Sequence, residues 1–207
     1  MPPLATGVDP DPFEKLVARH QDAPSPRLSH DWALLRLLDH RHCRALQADL
    51  EQEAGPWEVH EHVTERLWEA LPDEPGLYLF LWRPTFTFNV EGQRRPGDLA
   101  QVLYVGQAGA GPGKTRTIRD RFKDYRRHLG GNPAGLWEGT HPTTRNTMLN
   151  RYLTLRPLEF WCTVVPDRQN IGPLENRLLK LLNPPCNAQL LPELVQLPPE
   201  PAFKRPT

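Results

Sequence analysis

Two short apolar runs followed by a basic amphipathic stretch constrain the fold of this chain more than any other feature. Residues 76–82 and residues 101–106 are rich in aromatic and branched aliphatic types, which is typical of buried strands. Residues 114–129 follow a loop of small residues, and their apolar side chains recur at the period of one helical face. These side chains are Ile118, Phe122, Tyr125 and Leu129. The segment therefore predicts two strands and a helix that packs against them.

Charge is divided unevenly along the chain, although its 207 residues carry a formal net charge of zero. Residues 1–75 hold 15 Asp and Glu against 7 Lys and Arg, whereas residues 76–187 hold 16 Lys and Arg against 8 Asp and Glu. A positive excess on one domain-sized segment favours a polyanionic partner. Mutual neutralisation of the two halves across an internal interface is the alternative, and both can hold.

The region before residue 73 is predicted to be helical. Residues 12–20 predict a short helix within a proline-rich segment, and Ser29 is a candidate N-cap for a long helix over residues 30–54. Residues 58–70 predict a further helix with one apolar stripe. That stripe consists of Val59, Val63, Leu67 and Trp68.

The region after residue 129 predicts a loop, a helix, a third strand and a last helix. Residues 130–142 contain Gly and Pro and predict a loop, and residues 144–155 have helical character. Residues 158–165 are rich in aromatic and β-branched types and predict a strand. A Gly-Pro pair is typical of a helix start, so a helix is expected over residues 174–182.

Together these elements predict an α/β fold, in which a small, mainly antiparallel three-stranded sheet is flanked by helices and preceded by an N-terminal helical extension. The expected division is a Pro-rich and helical region at residues 1–73, a compact domain at 74–189 and a Pro-rich tail at 190–207. No apolar run reaches the roughly 18 residues of a membrane span. Three widely spaced cysteines indicate a reduced, cytoplasmic protein.

The two predicted strands carry a pair of tripeptides, Gly76-Leu77-Tyr78 and Tyr104-Val105-Gly106. This pair resembles the paired motif of the GIY-YIG nucleases. Three further residues stand where that family keeps functional side chains, on the following helix, early in the last helix and at the end of the core. They are Arg121, Glu175 and Asn187.

The resemblance implies a DNA endonuclease that depends on Mg²⁺ or Mn²⁺ and leaves 5′-phosphate and 3′-hydroxyl ends. It implies that Glu175 binds the metal and that Arg121 binds phosphate through its planar fork of donors. Tyr104 is the expected general base, with a pKa lowered by a nearby metal and arginine, and Tyr78 helps to position the attacking water. Asn187 completes the predicted catalytic set.

One position of the motif set differs between branches of the family. Some members carry a histidine four residues after the arginine, whereas this chain has Tyr125, as the excinuclease branch does. His128, nearly one helical turn further on, is the alternative occupant of that role. Tyr125 is the preferred candidate, and the choice stays open.

Basic and loop residues around this core are candidates for DNA binding. Contacts to the DNA backbone are predicted for Gly106, Lys114, Arg116, Arg119, Lys123, Arg126, Arg127, His128 and Arg145. Target selection is predicted for two segments, 83–100 and 130–150. Their candidate side chains are Arg94, Arg95, Trp137, His141, Thr143, Thr144 and Arg145. A solvated surface and ordinary loop chemistry explain the same residues equally well.

A competing motif overlaps the loop before the basic helix. Residues 108–115, Ala-Gly-Ala-Gly-Pro-Gly-Lys-Thr, satisfy a relaxed phosphate-loop pattern between a strand and a helix. Three predicted strands are too few for the parallel sheet of a nucleotide hydrolase, which makes that function the weakest alternative. Backbone N–H groups of the same loop are candidates for holding a DNA phosphate.

The eight histidines do not form a recognisable metal motif. His60 and His62 diverge on the predicted helix over residues 58–70, and no pair repeats at a zinc-type spacing. Solvated histidines on helices are the better interpretation.

The predicted function is a site-specific restriction or defence nuclease, because a GIY-YIG-type core is combined with added helices and no recognisable DNA-binding appendage. A structure-specific or repair nuclease and a nucleic-acid-binding module that does not cut are the alternatives. A site-specific cutter of both strands with one active site per chain usually acts as a pair, which predicts a homodimer on DNA.

Overall fold

The structure is a computed structural model that describes residues 12–21, 34–84, 87–88, 97–138 and 144–187. The helices are α1 (Pro12–Arg19), α2 (Leu34–Leu38), α3 (His40–Glu53), α4 (Ile118–Leu129), α5 (Pro133–Glu138), α6 (Arg145–Tyr152) and α7 (Arg168–Leu182). The strands are β1 (Glu58–His60), β2 (Gly76–Trp82), β3 (Thr87–Phe88), β4 (Gly97–Asp98), β5 (Gln101–Ala108) and β6 (Leu158–Val164). A short 3₁₀ helix spans Leu67–Glu69.

The main sheet has four antiparallel strands in the order β1-β6-β2-β5. Because β2 lies between β6 and β5, Tyr78 is paired with Cys162 on one side and with Gly106 on the other. β3 and β4 form a separate two-stranded sheet. The predicted α/β class with an antiparallel sheet is confirmed, whereas the prediction of three strands is wrong because β1 adds a fourth.

β1 stands where residues 58–70 were predicted to be helical. Its backbone pairs with the edge of β6 that faces away from β2, and the amide of Val63 donates to the carbonyl of Leu158 at 3.1 Å. Val63 is buried as the apolar stripe requires, but Val59 is 46 % exposed. Pairing with an open sheet edge satisfies backbone groups that water would otherwise have to bind, and this outweighs the helical period of the segment.

The long helix predicted over residues 30–54 is divided at Asp39. The Asp39 carboxylate accepts hydrogen bonds from the amides of Arg41 at 3.1 Å and His42 at 3.0 Å, which caps α3. The backbone of Asp39 leaves the helical region, with ψ at 83°. A carboxylate that binds the first amides of a helix competes with continuation of the preceding helix, so α2 and α3 are separate. The predicted cap Ser29 lies outside the described residues.

The last helix begins more than one turn earlier than predicted. Asp167 caps α7 by accepting from the amide of Gln169 at 2.9 Å, so Pro173 lies inside the helix rather than at its start. The prediction of a loop over residues 130–142 is also wrong in part, because α5 lies within this segment. The predicted strand over residues 76–82 is confirmed as β2.

The two faces of the main sheet carry different cores, because side chains alternate between the faces along each strand. α4 and α6 cover what we call the aromatic face. Its buried aromatic residues are Tyr78, Phe80, Tyr104, Phe122, Tyr125, Tyr152 and Phe160. α3 and α7 cover the opposite, aliphatic face. Its buried residues are Leu46, Leu77, Leu79, Leu81, Val105, Val165, Ile171, Leu174 and Leu178.

In the part of the chain that the structure describes, no helix combines the length and the apolar character needed to cross a membrane.

Candidate active site

Three tyrosine hydroxyls meet on the aromatic face and form what we call the phenol cluster: Tyr78 of β2, Tyr104 of β5 and Tyr125 of α4. The hydroxyls of Tyr78 and Tyr125 are 3.0 Å apart, and the hydroxyl of Tyr125 donates to that of Tyr104 at 2.9 Å. All three residues are buried, with exposed fractions of 0 %, 5 % and 3 %. Tyr125 therefore joins the two tyrosines of the paired motif, which are 26 residues apart in the sequence.

The glycine of the second tripeptide makes room for the first tyrosine. A Cβ atom placed on Gly106 would lie 2.4 Å from Cζ of Tyr78 and 2.5 Å from its hydroxyl oxygen. The absence of a side chain at this position lets the Tyr78 ring lie over β5 and reach Tyr125. Gly106, predicted to contact DNA, is buried beneath this ring rather than on an open surface.

Two guanidinium groups bind the phenol cluster from different helices. Arg121 of α4 donates through Nη2 to the hydroxyl of Tyr125 at 3.3 Å, and through Nη1 to the carboxylate of Asp124 at 3.0 Å. Arg145 of α6 donates through Nη2 to the hydroxyl of Tyr104 at 2.8 Å and lies 3.5 Å from that of Tyr125. The structure thus brings two positive charges to one set of hydroxyls.

The sequence predicts Arg145 as a residue for DNA contact and target selection in a segment of helical character, and it does not reveal the place of Arg145 at the phenol cluster. It stands in the first turn of α6, directly after the cap Thr144, whose hydroxyl accepts from the amide of Thr147 at 3.3 Å. Tyr104 lies 41 positions away, so nothing in the local sequence around Arg145 shows the contact. The only usable signal is an arginine at the start of a helix that follows the motif helix.

Arg121 has unused donor capacity. Its Nε is buried and has no hydrogen-bond partner among the described residues, although the side chain as a whole is 25 % exposed. A buried N–H without an acceptor is unfavourable, and an anion that arrives with its own oxygen atoms relieves this. The guanidinium is therefore suited to a ligand with several acceptor atoms, such as a phosphate.

Glu175 of α7 provides the negative charge near the two guanidinium groups. Burial raises the pKa of its carboxyl from 4.5 to about 7, and the positive charges of Arg121 and Arg145 lower it by a smaller amount. The carboxyl is only partly buried, so solvent still reaches it. A partly desolvated carboxyl with a pKa of about 7 is stabilised in its ionised form by a cation, so Glu175 is suited to bind one.

Burial makes two of these tyrosines, Tyr78 and Tyr104, harder to ionise than an ordinary phenol. Burial raises the pKa of Tyr104 above its ordinary value, and the neighbouring Tyr125 raises it further, while Arg145 acts in the opposite direction. Burial likewise raises the pKa of Tyr78. The lowered pKa expected for Tyr104 from a nearby arginine is thus outweighed by burial.

Asn187 acts on the backbone of β5. Its side-chain oxygen accepts from the amide of Val105 at 2.9 Å, and its side-chain nitrogen donates to the carbonyl of Val105 at 2.7 Å. Val105 lies between Tyr104 and Gly106, so this pair of hydrogen bonds holds the second motif in place. In the structure Asn187, predicted to be catalytic, thus uses its side chain to bind the backbone of β5.

Several of the basic residues predicted to bind DNA are engaged within the chain. Arg119 donates to the carbonyl of Leu71 at 3.0 and 2.8 Å, and Arg116 binds Asp124 at 2.8 Å. Lys123 lies over the ring of Trp68, with 4.7 Å between its Nζ and the ring centroid. Lys114 and Arg126 of the predicted set are exposed. Arg127 and Arg145 are exposed as well, although they donate hydrogen bonds to His128 and Tyr104.

His128 lies outside the phenol cluster. Its Nδ1 is hydrogen-bonded to the side-chain oxygen of Asn150, and its Nε2 accepts from Nε of Arg127 at 3.2 Å. Burial lowers the pKa of this imidazole. Tyr125 and His128 are the two candidates for the position that is a histidine in some members of the family. The structure brings Tyr125 to the phenol cluster, whereas His128 is hydrogen-bonded to other residues nearby.

The glycine-rich loop is held from within the protein. Nη1 of Arg168 donates to the carbonyls of Gly109 at 3.2 Å and Lys114 at 2.6 Å. The amide of Ala110 donates to the side chain of Gln107, and the amide of Gly111 donates to the carbonyl of Arg168. These two N–H groups are thus already occupied, which weakens the prediction that the loop cradles a phosphate.

The residues predicted to select a target are divided by the structure. Trp137 packs within the protein, with its ring centroid 5.5 Å from that of Tyr152, and Thr144 caps α6. Arg145 is at the phenol cluster. The other four lie outside the described residues, and they are Arg94, Arg95, His141 and Thr143.

Comparisons of this chain with protein-family models, with curated proteins and with solved structures found no match. The family interpretation therefore depends on the motif residues and on the site that they form.

Proposed function

We propose that this chain is a metal-dependent DNA endonuclease of the GIY-YIG type. It hydrolyses phosphodiester bonds and leaves 5′-phosphate and 3′-hydroxyl ends. One observation carries the proposal: the tyrosines of both tripeptides, which are far apart in sequence, share a hydroxyl network that Tyr125 completes and that Arg121 and Arg145 bind. Phenols and guanidinium groups that converge in this way, within the field of a carboxylate, suit the chemistry of phosphate esters.

Arg121 and Arg145 bind the phosphate that is to be cleaved. Two planar forks of N–H donors, approaching from α4 and α6, match the tetrahedral array of phosphate oxygens. Both guanidinium groups already donate to neutral phenols, so an incoming phosphate provides stronger acceptors for their remaining N–H groups. Because charge on the phosphoryl oxygens must be stabilised in the transition state, these residues increase the rate as well as the affinity.

Glu175 fits the requirement for a Mg²⁺ ligand. Mg²⁺ prefers oxygen ligands, keeps several of its waters and is commonly held by one or two carboxylates together with substrate phosphates. When bound, Mg²⁺ supplies Lewis acidity at the phosphate and the leaving oxygen and acidifies a nearby water. Glu175 must be ionised to hold the metal, so a pKa of about 7 makes binding stronger as the pH rises through that value.

Tyr104 is the phenol that acts as general base and exchanges a proton with the attacking water. Its oxygen accepts hydrogen bonds from Tyr125 and Arg145, so its own hydrogen is available to a third group. Tyr78 is fully buried and acts through Tyr125, which makes it a positioning residue. Loss of the Tyr104 proton requires more positive charge than Arg145 provides, and Glu175 would hold the cation that could supply it.

A restriction or defence role suits this chain best among nucleases of this type, and a structure-specific or repair nuclease is the alternative. The main sheet and α4 hold the phenol cluster, while α1, α2, α3 and α5 lie outside it and are available to recognise a target. A homodimer on DNA would place two such sites on opposite strands.

The test is cleavage of supercoiled plasmid and of branched and single-stranded DNA in Mg²⁺ or Mn²⁺, with wild type beside Glu175→Ala. We expect cleavage by wild type, none in chelator and a loss of about 10³-fold in Glu175→Ala. Glu51→Ala on α3 is the matched control, because it removes an exposed carboxylate away from the site. Labelling of the new ends by a kinase only after phosphatase treatment would identify 5′-phosphates.

Failure of wild type to cut any of these substrates with either metal would contradict the nuclease proposal. Retained DNA binding without cleavage would then favour a binding module. Hydrolysis of ATP that Lys114→Ala abolishes would favour a nucleotide hydrolase. Discrete fragments from plasmid would support sequence recognition, whereas a smear would support a structure-driven or non-specific nuclease.

A further inference from the structure

A second group of polar side chains lies at the other edge of the main sheet, where β1 pairs with β6. Glu58 of β1 is opposite Cys162 of β6, and His60 is opposite Phe160. Glu58 and His60 are two residues apart on one strand, so their side chains share a face, and Cys162 lies on that face too. The ligand atoms of these three side chains all lie within 4.8 Å of one another.

The imidazole of His60 has a nitrogen without a protein partner. Its Nε2 is buried and makes no hydrogen bond within the described residues, and it lies 3.8 Å from Oε2 of Glu58, beyond hydrogen-bond distance. The ring packs near Phe160, with centroids 6.5 Å apart, which fixes it against the sheet. This buried nitrogen, close to a carboxylate in a cluster that also holds a thiol, lacks the partner that a cation would provide.

We propose that Glu58, His60 and Cys162 form a binding site for a divalent transition-metal ion of the Zn²⁺ class. Thiolate, imidazole and carboxylate are the ligands that Zn²⁺ takes in proteins, whereas a thiol and an imidazole are poor ligands for Mg²⁺. Zn²⁺ binds such ligands at roughly 2.0–2.3 Å in tetrahedral geometry, so side-chain shifts of about 1 Å close the site. Because Glu58 is half exposed, the fourth position is left to water.

Binding at this site would hold β1 to the sheet. β1 has three residues and pairs along one side with β6. A metal that joins Glu58 and His60 of β1 to Cys162 of β6 links the two strands through their side chains. The thiol of Cys162 loses its proton to solvent on binding, and the free energy of metal binding adds to that of folding. The site shares no side chain with the phenol cluster or with Glu175.

The test uses the full chain, with thiols kept reduced and metals removed by a chelator, and titrates it with Co²⁺ as a spectroscopic substitute for Zn²⁺. We expect one equivalent of Co²⁺ to produce a thiolate-to-cobalt charge-transfer band, Zn²⁺ to abolish it by displacement and Mg²⁺ to leave it unchanged. Zn²⁺ should also raise the melting temperature of wild type.

Cys162→Ala should abolish the band, whereas the matched control Cys186→Ala, which changes another buried thiol of the aromatic face, should retain it. His60→Gln alters a partly exposed side chain and should weaken Co²⁺ binding by at least tenfold, a loss typical of removing one metal ligand, and it should abolish the Zn²⁺-dependent rise in melting temperature. His62→Gln, at an exposed neighbouring position, should behave as wild type.

No charge-transfer band in wild type would overturn the proposal, and so would a band that survives Cys162→Ala or is lost in Cys186→Ala. If Cys162→Ala does not fold, His60→Gln decides the question, since full-strength Co²⁺ binding by that variant also overturns the proposal. The readout is a spectrum without DNA, and Glu175→Ala should leave it unchanged, so its outcome is separate from that of the nuclease test.

Discussion

The two faces of the main sheet are built from the same strands but differ in chemistry. On the aromatic face, Tyr78 and Tyr104 carry hydroxyls that meet Tyr125 in a network of hydrogen bonds. On the aliphatic face, the buried side chains of β2 and α7 are leucine and isoleucine, which carry no polar atom to satisfy. Because neighbouring residues of β2 point to opposite faces, a single strand contributes to both.

This difference suggests that the aliphatic face serves mainly stability and the aromatic face mainly the chemistry of the site. An aliphatic core depends on buried area and close packing, whereas the phenol cluster places polar groups in a buried position where each must find a partner. The guanidinium groups of Arg121 and Arg145 satisfy the cluster at its solvent side. We therefore expect polar substitutions on the aromatic face to change cleavage more than stability, and substitutions on the aliphatic face to do the reverse.

The largest effect is expected from Arg121→Ala. Removal of a donor that stabilises charge in the transition state should lower the cleavage rate by about 10³-fold, equivalent to about 4 kcal/mol. Arg121→Lys should recover only part of this, because a point charge cannot replace the planar fork. The measurement is single-turnover cleavage of plasmid, and Arg41→Ala on α3 is the control, since it removes an exposed arginine far from the cluster. Full activity in Arg121→Ala would contradict the assignment of the cleavage chemistry to the aromatic face.

The converse effect is expected from Leu46→Ala on the aliphatic face. Leu46 is 2 % exposed and packs from α3 against the sheet, so truncation should lower the free energy of unfolding by about 3 kcal/mol through lost burial and a cavity. The cleavage rate of the folded fraction should stay within about twofold of wild type, because the phenol cluster is on the other face. Urea unfolding measures the first quantity, and Gln47→Ala at the exposed neighbour is the control. A large loss of cleavage at unchanged stability would contradict this.

Gly106→Ala tests the contact between β5 and the Tyr78 ring. The new Cβ would lie 2.4 Å from Cζ of Tyr78, so either the ring or β5 must move, at a cost of about 2 kcal/mol in unfolding free energy. Displacement of Tyr78 should also lengthen its contact with Tyr125 and reduce cleavage. Gly135→Ala is the control, because a Cβ at that position meets no atom within 4 Å. Equal stability of the two variants would show that the close approach has no energetic consequence.

The parts of this fold and site that depend on local patterns could be predicted from the sequence. β2 has the predicted bounds, and the alternation along it places Tyr78 on one face and Leu77 and Leu79 on the other. The apolar spacing of α4 correctly places Tyr125 inward and Arg121 beside it. In these elements propensity, period and tertiary packing agree, so local reasoning is sufficient.

The parts that depend on distant partners could not be predicted in this way. β1 forms because β6 has an open edge, which the local sequence of residues 58–60 does not show, and a helical period was a reasonable but wrong guide. That error concealed the neighbouring positions of His60 and Cys162, because the two histidines of this segment were placed on a helix. Arg145 reaches Tyr104 only through the position of α6 on the sheet.

A smaller effect on the aromatic face is expected from Tyr125→Phe. Loss of the central hydroxyl leaves the buried hydroxyl of Tyr78 without its partner and removes an acceptor from Arg121, so the free energy of unfolding should fall by about 1.5 kcal/mol. Cleavage should decline roughly tenfold, because the phenols lose their shared orientation. Tyr152→Phe, on the same face outside the cluster, should change either quantity little. Similar losses in both variants would mean that the network has no special role.

The smallest effect on stability is expected from Glu175→Gln and appears in the pH dependence of unfolding. Burial raises the pKa of Glu175 from 4.5 to about 7, so the folded protein holds this proton more tightly than the unfolded chain does. Stability of wild type therefore falls as the pH rises from 4.5 through 7, and glutamine removes this fall. In chelator, the variant should be more stable than wild type by about 1 kcal/mol at pH 8 and equal at pH 4, the full shift being reduced by solvent at a partly exposed carboxyl.

Thermal unfolding across that pH range measures the difference, and Glu51→Gln at an exposed position of α3 should show none of it. Mg²⁺ should narrow the gap at pH 8, because the ionised carboxylate of wild type then gains the partner that glutamine cannot bind. A gap that is the same at pH 4 and pH 8 would mean that Glu175 is an ordinary solvated side chain. In that case the candidate site would retain its phenols and arginines but would have lost its candidate metal ligand, and the proposed nuclease chemistry would need another carboxylate.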